Sequence, residues 1–153
     1  MKPNLSLQKK SAARLAAVQS LYTLAVTGET RTPLQLVTAL KKQLENNRDE
    51  QKLLVGAPIE PNYKLVETLL EGVEQWRADI DARLDGALSK DWKRARTGPL
   101  LIAILQCGIF EMLFFKAISP KIVIDEYTRL ARSFFTDSEA GFVHGVLSKL
   151  ANG

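Results

Sequence analysis

The chain has 153 residues, 46% of them hydrophobic and 25% charged, which is enough apolar material for one domain or two tightly joined halves. One cysteine and one histidine exclude an internal disulfide framework and a conventional structural zinc site, and the single thiol points to the cytosol. The net charge is +4 and unevenly placed: Lys2, Lys9, Lys10 and Arg14 all precede the first acid, Glu29, and the remainder of the chain balances.

The first predicted helix runs from about Leu7 to Thr27. Leu15, Val18, Tyr22 and Val26 recur at helical spacing, and Gly28 supplies the stop. Its opening turns carry cations where the helix dipole favours acids, a mismatch of a few tenths of a kcal/mol. Something outside the helix has to favour those cations, and a polyanion is the natural candidate. Lys10 and Arg14 are i, i+4 neighbours beside the apolar stripe, so both heads are expected to point at one ligand. On charge alone, cations that only keep the protein soluble fit equally well.

Thr32 caps a second helix with Pro33 in its first turn, and Leu36, Val37, Leu40 and Leu44 form its stripe. Residues 46–61, "NNRDEQKLLVGAPIEP", read as the longest loop. From Asn62 to about Ser89 the spacing predicts one long helix. Tyr63, Val66, Leu69, Leu70, Val73, Trp76, Ile80, Leu84 and Leu88 keep its period, while Gly72 and Gly86 weaken it locally. "KDWKRART" has room for a turn or two of helix, and Trp92 is expected to plug it into the core.

Pro99 opens a helix to about Phe115 that is apolar on nearly every side and is the predicted central helix. Its run "GPLLIAILQCGIF" is bracketed by Glu111 and Lys116, so a buried helix is expected rather than a membrane span. The N-terminus has no continuous apolar stretch, and no secretory signal is expected. Ser119 then caps a helix with Pro120 at its first position; Ile122, Val123, Tyr127, Leu130 and Phe134 are its predicted inner face. "TDSE" at 136–139 fits a capping box that opens the last helix, where Val143, Val146, Leu147 and Leu150 face inward. No segment alternates like a strand. The expected fold is a single all-α domain, 1–153, of about seven helices. One half spans about 7–61 plus the long helix 62–89, and the other about 91–151.

Catalytic signals are sparse. The sequence holds no GxGxxG, GxxxxGK[ST] or HExxH pattern. His144 is read as a surface or half-buried residue with no serine, cysteine or metal cluster near it. Cys107 lies in the most apolar helix, where cysteine behaves as a small hydrophobe. Asp125 and Glu126 are adjacent on a helix and point about 100° apart, which suits acid–base work poorly. Glu111, the one acid of the central helix, is read as structural. Neither an enzyme nor a cofactor is expected.

Three stretches carry a resemblance. "ARLAAVQSLYTL" is similar to the first-helix pattern of the NusB family of bacterial transcription antitermination factors, and "IFEML" to its central helix. "SPKIVIDEYTRLARSF", followed by "DSEAGFVHGVLSKLA", resembles the family's closing pair of helices. The match covers roughly 12–27 and 62–151. It implies an all-helical protein with a three-helix and a four-helix half. It further implies a cytoplasmic, non-enzymatic factor that binds single-stranded boxA-like RNA together with NusE, a small-subunit ribosomal protein. That complex joins RNA polymerase and supports transcription of ribosomal RNA operons.

Carried over residue by residue, the resemblance assigns RNA phosphates to Lys9, Lys10 and Arg14; on the same helix follow Gln19, a further RNA contact, and Tyr22, a contact for the protein partner. It brings Asp137 and Phe142 to the RNA surface. Phe142 either stacks on a splayed base or is a half-buried core aromatic, and Asp137 either meets RNA or supports the cap at Thr136. Lys90 is a further RNA candidate. Lysine replaces much of the family's arginine, losing the planar bidentate fork. Leu101 and Ile102 stand where the family carries a charged pair implicated in binding NusE. One of them is therefore expected on an exposed apolar patch that receives NusE or a second copy of the chain. His144 replaces a usual asparagine. One rival is a NusB-fold module that docks proteins or dimerises and has lost RNA binding. Another, a domain of an RNA cytosine methyltransferase, requires this chain to be a fragment.

Overall fold

The computed structural model describes residues 4–51, 59–88 and 97–153, and every regular element among them is helical. Helix α1 spans Leu5–Thr27. Asn4 caps it, accepting the Ser6 N–H at 2.8 Å. Gly28 closes it in the left-handed region at φ 72°, where a glycine is favoured, and donates its N–H to the Leu24 carbonyl. The buried face differs from the expected stripe. Ala13, Ala16, Ala17, Val18 and Leu21 are buried, Leu15 and Tyr22 only half so, and Val26 is exposed. Large side chains dominated the sequence pattern, but the inward line of α1 is made largely of alanines.

Helix α2, Pro33–Gln51, opens with a reciprocal capping box. Thr32 N–H donates to Gln35 Oε1 at 2.9 Å, and Gln35 N–H donates to Thr32 Oγ1 at 3.2 Å. The helix runs well into the stretch expected to be loop. Residues 52–58 of that loop lie outside the described residues, as do Lys90 and Trp92.

Asn62 caps α3, Tyr63–Gln75, by accepting the Leu65 N–H at 3.0 Å. The single long helix expected here is two. Trp76 leaves helical geometry at φ −104°, ψ 17°, and α4 follows as Arg77–Ala87. Backbone bonds from Trp76 N–H to Gly72 and from Ile80 N–H to Trp76 bridge the bend, so the periodicity runs through it unbroken. The Trp76 ring, one of the side chains that keep the helical period, is partly exposed and stacked on Phe114, with centroids 5.1 Å apart.

Helix α5, Pro99–Ile109, continues into a π-helical stretch, Phe110–Phe115. Lys116 N–H donates to the Glu111 carbonyl at 3.1 Å, an i→i−5 bond, and Lys116 itself ends the stretch at φ 55°. Ser119 caps α6, Pro120–Arg132, as expected. The closing helix α7 spans Asp137–Asn152. At its start the Thr136 hydroxyl donates to the Glu139 carboxylate, which holds that carboxyl below its ordinary range, and no side-chain bond from Thr136 caps the backbone.

The chain divides into two compact units, Met1–Thr68 and Leu69–Gly153, with the boundary inside α3. In the first unit, Asn62 N–H donates to the Lys9 carbonyl at 3.0 Å, which sets the start of α3 against the second turn of α1. In the second, α5 is central and packs against α4, α6 and α7, while α6 and α7 pack against each other. Leu101, Ile104, Leu105, Ile109, Tyr127, Val143 and Leu147 are buried there. Each large aliphatic side chain so buried contributes about 1.5–3 kcal/mol. Ile122 and Phe134, expected on the inner face of α6, are exposed. No helix among the described residues is long and apolar enough to cross a membrane.

Candidate nucleic-acid interface

The first turn of α1 carries no acid, so its dipole is not offset there. Lys9 and Lys10 follow in the second turn, both half-exposed, with ammonium groups able to reach solvent along their stems. Arg14 does not join them. It is only 5% exposed and engaged within the protein. Its position explains this: Ala17, Val18 and Leu21, at i+3, i+4 and i+7, are all buried, so Arg14 lies on the inward stripe of α1. The expectation that Lys10 and Arg14 present two heads to one ligand is therefore corrected. Gln19 is exposed on the same helix, and Tyr22 is half-buried.

On α7, Asp137 is fully open to solvent at the first position, with an oxygen 3.6 Å from Arg132 Nε. Phe142 is half-buried and in contact with other groups. Lys90 lies outside the described residues. Leu101 is 2% exposed and belongs to the core; it is withdrawn as a surface residue, because the first turn of α5 buries it along with Ala103, Ile104 and Leu105. Ile102, half-buried, is the accessible member of that pair.

His144 is exposed, with Nδ1 3.4 Å from Ser148 Oγ one turn further on. A serine does therefore lie near it, contrary to the sequence expectation, in an i, i+4 contact on the helix surface. Cys107 is completely buried. Burial first, and the charge of Glu111 second, push its thiol far above the ordinary range, so it stays protonated. Glu111 is buried and partnered, in keeping with a structural role.

One cation absent from the sequence candidates is brought into play by the fold. Lys41, exposed on α2, holds its Nζ 5.1 Å from the centroid of the Tyr63 ring. Tyr63 directly follows Asn62, whose N–H is bonded to Lys9. No local pattern in residues 36–44 marks Lys41 out from its neighbour Lys42.

Fold and site together define a small all-α protein with a lysine-bearing, acid-free opening to its first helix. Residues 11–152 match the sequence profile of the NusB family. A transcription antitermination protein NusB from Maricaulis maris is 31% identical over 144 residues, covering 94% of this chain and 86% of that protein. Among solved structures, NusB of T. maritima superposes with a TM-score of 0.71 at 22% identity, covering 99% of this chain and 93% of that one. A chain from a crystal structure of the antitermination factors NusB and NusE in complex with dsRNA gives a TM-score of 0.68 at 25% identity, covering 93% and 95%. The chain belongs to the NusB family of transcription antitermination proteins.

Proposed function

We propose that this protein is a cytoplasmic antitermination factor that binds boxA-like RNA together with NusE and joins the transcribing RNA polymerase, acting as an adaptor rather than a catalyst. The observation that carries the reading is the placement of charge. The whole excess of +4 lies before residue 29, and two of its four cations, Lys9 and Lys10, stand at an accessible helix start. A similar solved structure contains NusB, NusE and RNA together. Lys9 and Lys10 serve as phosphate contacts, Gln19 as a polar contact further along α1, and Phe142 as a stacking surface for a base. Tyr22 and Ile102 remain the candidates for contact with the protein partner.

A gel-shift with boxA-like RNA, with and without purified NusE, tests this. The expected result is a shift that strengthens with NusE and weakens as salt rises. Absence of any shift under both conditions would overturn the RNA reading. It would leave the alternative of a NusB-fold protein that docks proteins or dimerises and has lost RNA binding.

A further inference from the structure

We infer that the RNA track does not stop at α1 but crosses to α2 through the start of α3, with Lys41 as a further phosphate contact held in place by the Tyr63 ring. The inference rests on the RNA-binding reading above and extends it to a residue outside α1.

Three contacts within the first unit form a continuous chain. Asn62 N–H bonds to the Lys9 carbonyl at 3.0 Å, so the first residues of α3 abut the turn of α1 that carries Lys9 and Lys10. Tyr63 is the next residue, and its hydroxyl donates to Glu60 Oε1 at 3.2 Å, which restrains the ring. Above that ring stands the Lys41 ammonium, 5.1 Å from the centroid, within cation–π range. Lys41 is otherwise exposed on α2. A free lysine on a helix surface samples many rotamers. One parked over an aromatic face has already lost part of that freedom, so less entropy is lost when a phosphate arrives. Cations alternating with an aromatic ring are the composition that single-stranded nucleic acid uses for backbone and base contacts. Two acids stand nearby: Glu60, whose bond to the Tyr63 hydroxyl occupies one of its oxygens, and Glu45, one turn along α2 at i+4 from Lys41.

Lys42 supplies the internal control. It is the adjacent exposed lysine, of equal charge, and points about 100° away around α2. Binding of boxA-like single-stranded RNA should be measured across a salt series for the full chain and for Lys41→Ala, Lys42→Ala and the pair Lys9→Ala with Lys10→Ala. For Lys41→Ala the expected result is weaker binding and a log–log salt slope shallower by about 0.7, the value for one lost single-strand phosphate contact. Lys42→Ala should leave the slope unchanged. Tyr63→Leu should weaken binding in the wild-type background and add nothing to Lys41→Ala, because its effect runs through the same ammonium.

If the Lys9 and Lys10 variant loses affinity but Lys41→Ala does not, the inference is overturned and the RNA reading stands. An equal loss with Lys42→Ala also overturns it, since only net charge would then be read. If the wild-type chain binds no RNA either alone or with NusE, both fall.

Discussion

Phe110 occupies the space that a side chain at Gly72 would need: a Cβ added to Gly72 would overlap the Phe110 ring. Both residues are buried in the second unit, where the aromatic ring and the bare helix backbone fit against each other. Gly72 lies inside α3, where helix propensity alone would favour alanine by about 1 kcal/mol. Packing should outweigh that gain. Gly72→Ala is expected to lower stability by about 1–3 kcal/mol in thermal or urea unfolding. Adding Phe110→Leu should restore part of the loss. Gly86 is the contrast, with open space around its Cβ position, and Gly86→Ala should raise stability by about 0.5–1 kcal/mol.

The cations of α1 should separate into two kinds. Lys9→Ala and Lys10→Ala are expected to leave the melting temperature nearly unchanged, and each should make the RNA salt slope shallower by about 0.7. Arg14→Ala should behave in the opposite way. Removing a buried, partnered guanidinium is expected to lower stability by about 1–3 kcal/mol. Its effect on RNA binding at low temperature, where the variant is still folded, should be small. A selective loss of binding with unchanged melting would return Arg14 to the interface.

Cys107 makes a prediction about alkaline pH. The folded chain holds its thiol proton far above the ordinary value of 9.0, whereas the unfolded chain releases it near that value. The unfolded state therefore binds fewer protons above about pH 9, so stability is intact below that pH and falls as pH rises beyond it. The slope from this one group approaches roughly 1.4 kcal/mol per pH unit. Cys107→Ala should remove that share of the alkaline loss, seen as a flatter stability–pH curve than wild type. Native protein at pH 8 should also resist thiol reagents until it is unfolded.

Leu101 and Ile102 should give different failures when charged. Leu101→Asp places a carboxylate in the core of the second unit and is expected to unfold it or lower its melting temperature sharply. Ile102→Asp should fold, because the side chain is partly accessible, and should weaken association with NusE in a pull-down or titration. Unaltered NusE binding by a folded Ile102→Asp would remove this position from the partner surface.

These contrasts show which parts of the molecule were legible in the residues. Several helix ends were, because their signals are local: Thr32 with Pro33, Gly28, Pro99, and Ser119 with Pro120 all act where the sequence places them, whereas the end of α2 at Gln51 carried no such signal. The bend at Trp76 was not, because its backbone hydrogen bonds keep the helical period and only the direction changes. Arg14 was misread because a cation beside an apolar stripe was assigned to the surface, while half of the inward line was made of alanines too small to stand out. Lys41 was invisible for another reason. Its distinction from Lys42 is a contact with Tyr63, 22 positions away along the chain, and no window of helical periodicity spans that distance.

The π-helical stretch that follows α5 carries a different kind of consequence, one of tolerance to a change in length. An i→i−5 bond closes each turn with one residue more than the α-helical bond does. Such a turn absorbs a single-residue insertion without rotating the helix before it, whose buried face would otherwise be turned about 100° out of the core. Here that helix is α5, the most apolar helix among the described residues, and Lys116 and Ser119 reset the backbone before α6 begins. The segment Phe110–Phe115 thus takes up one residue more than an α-helical turn while α5 keeps its buried face.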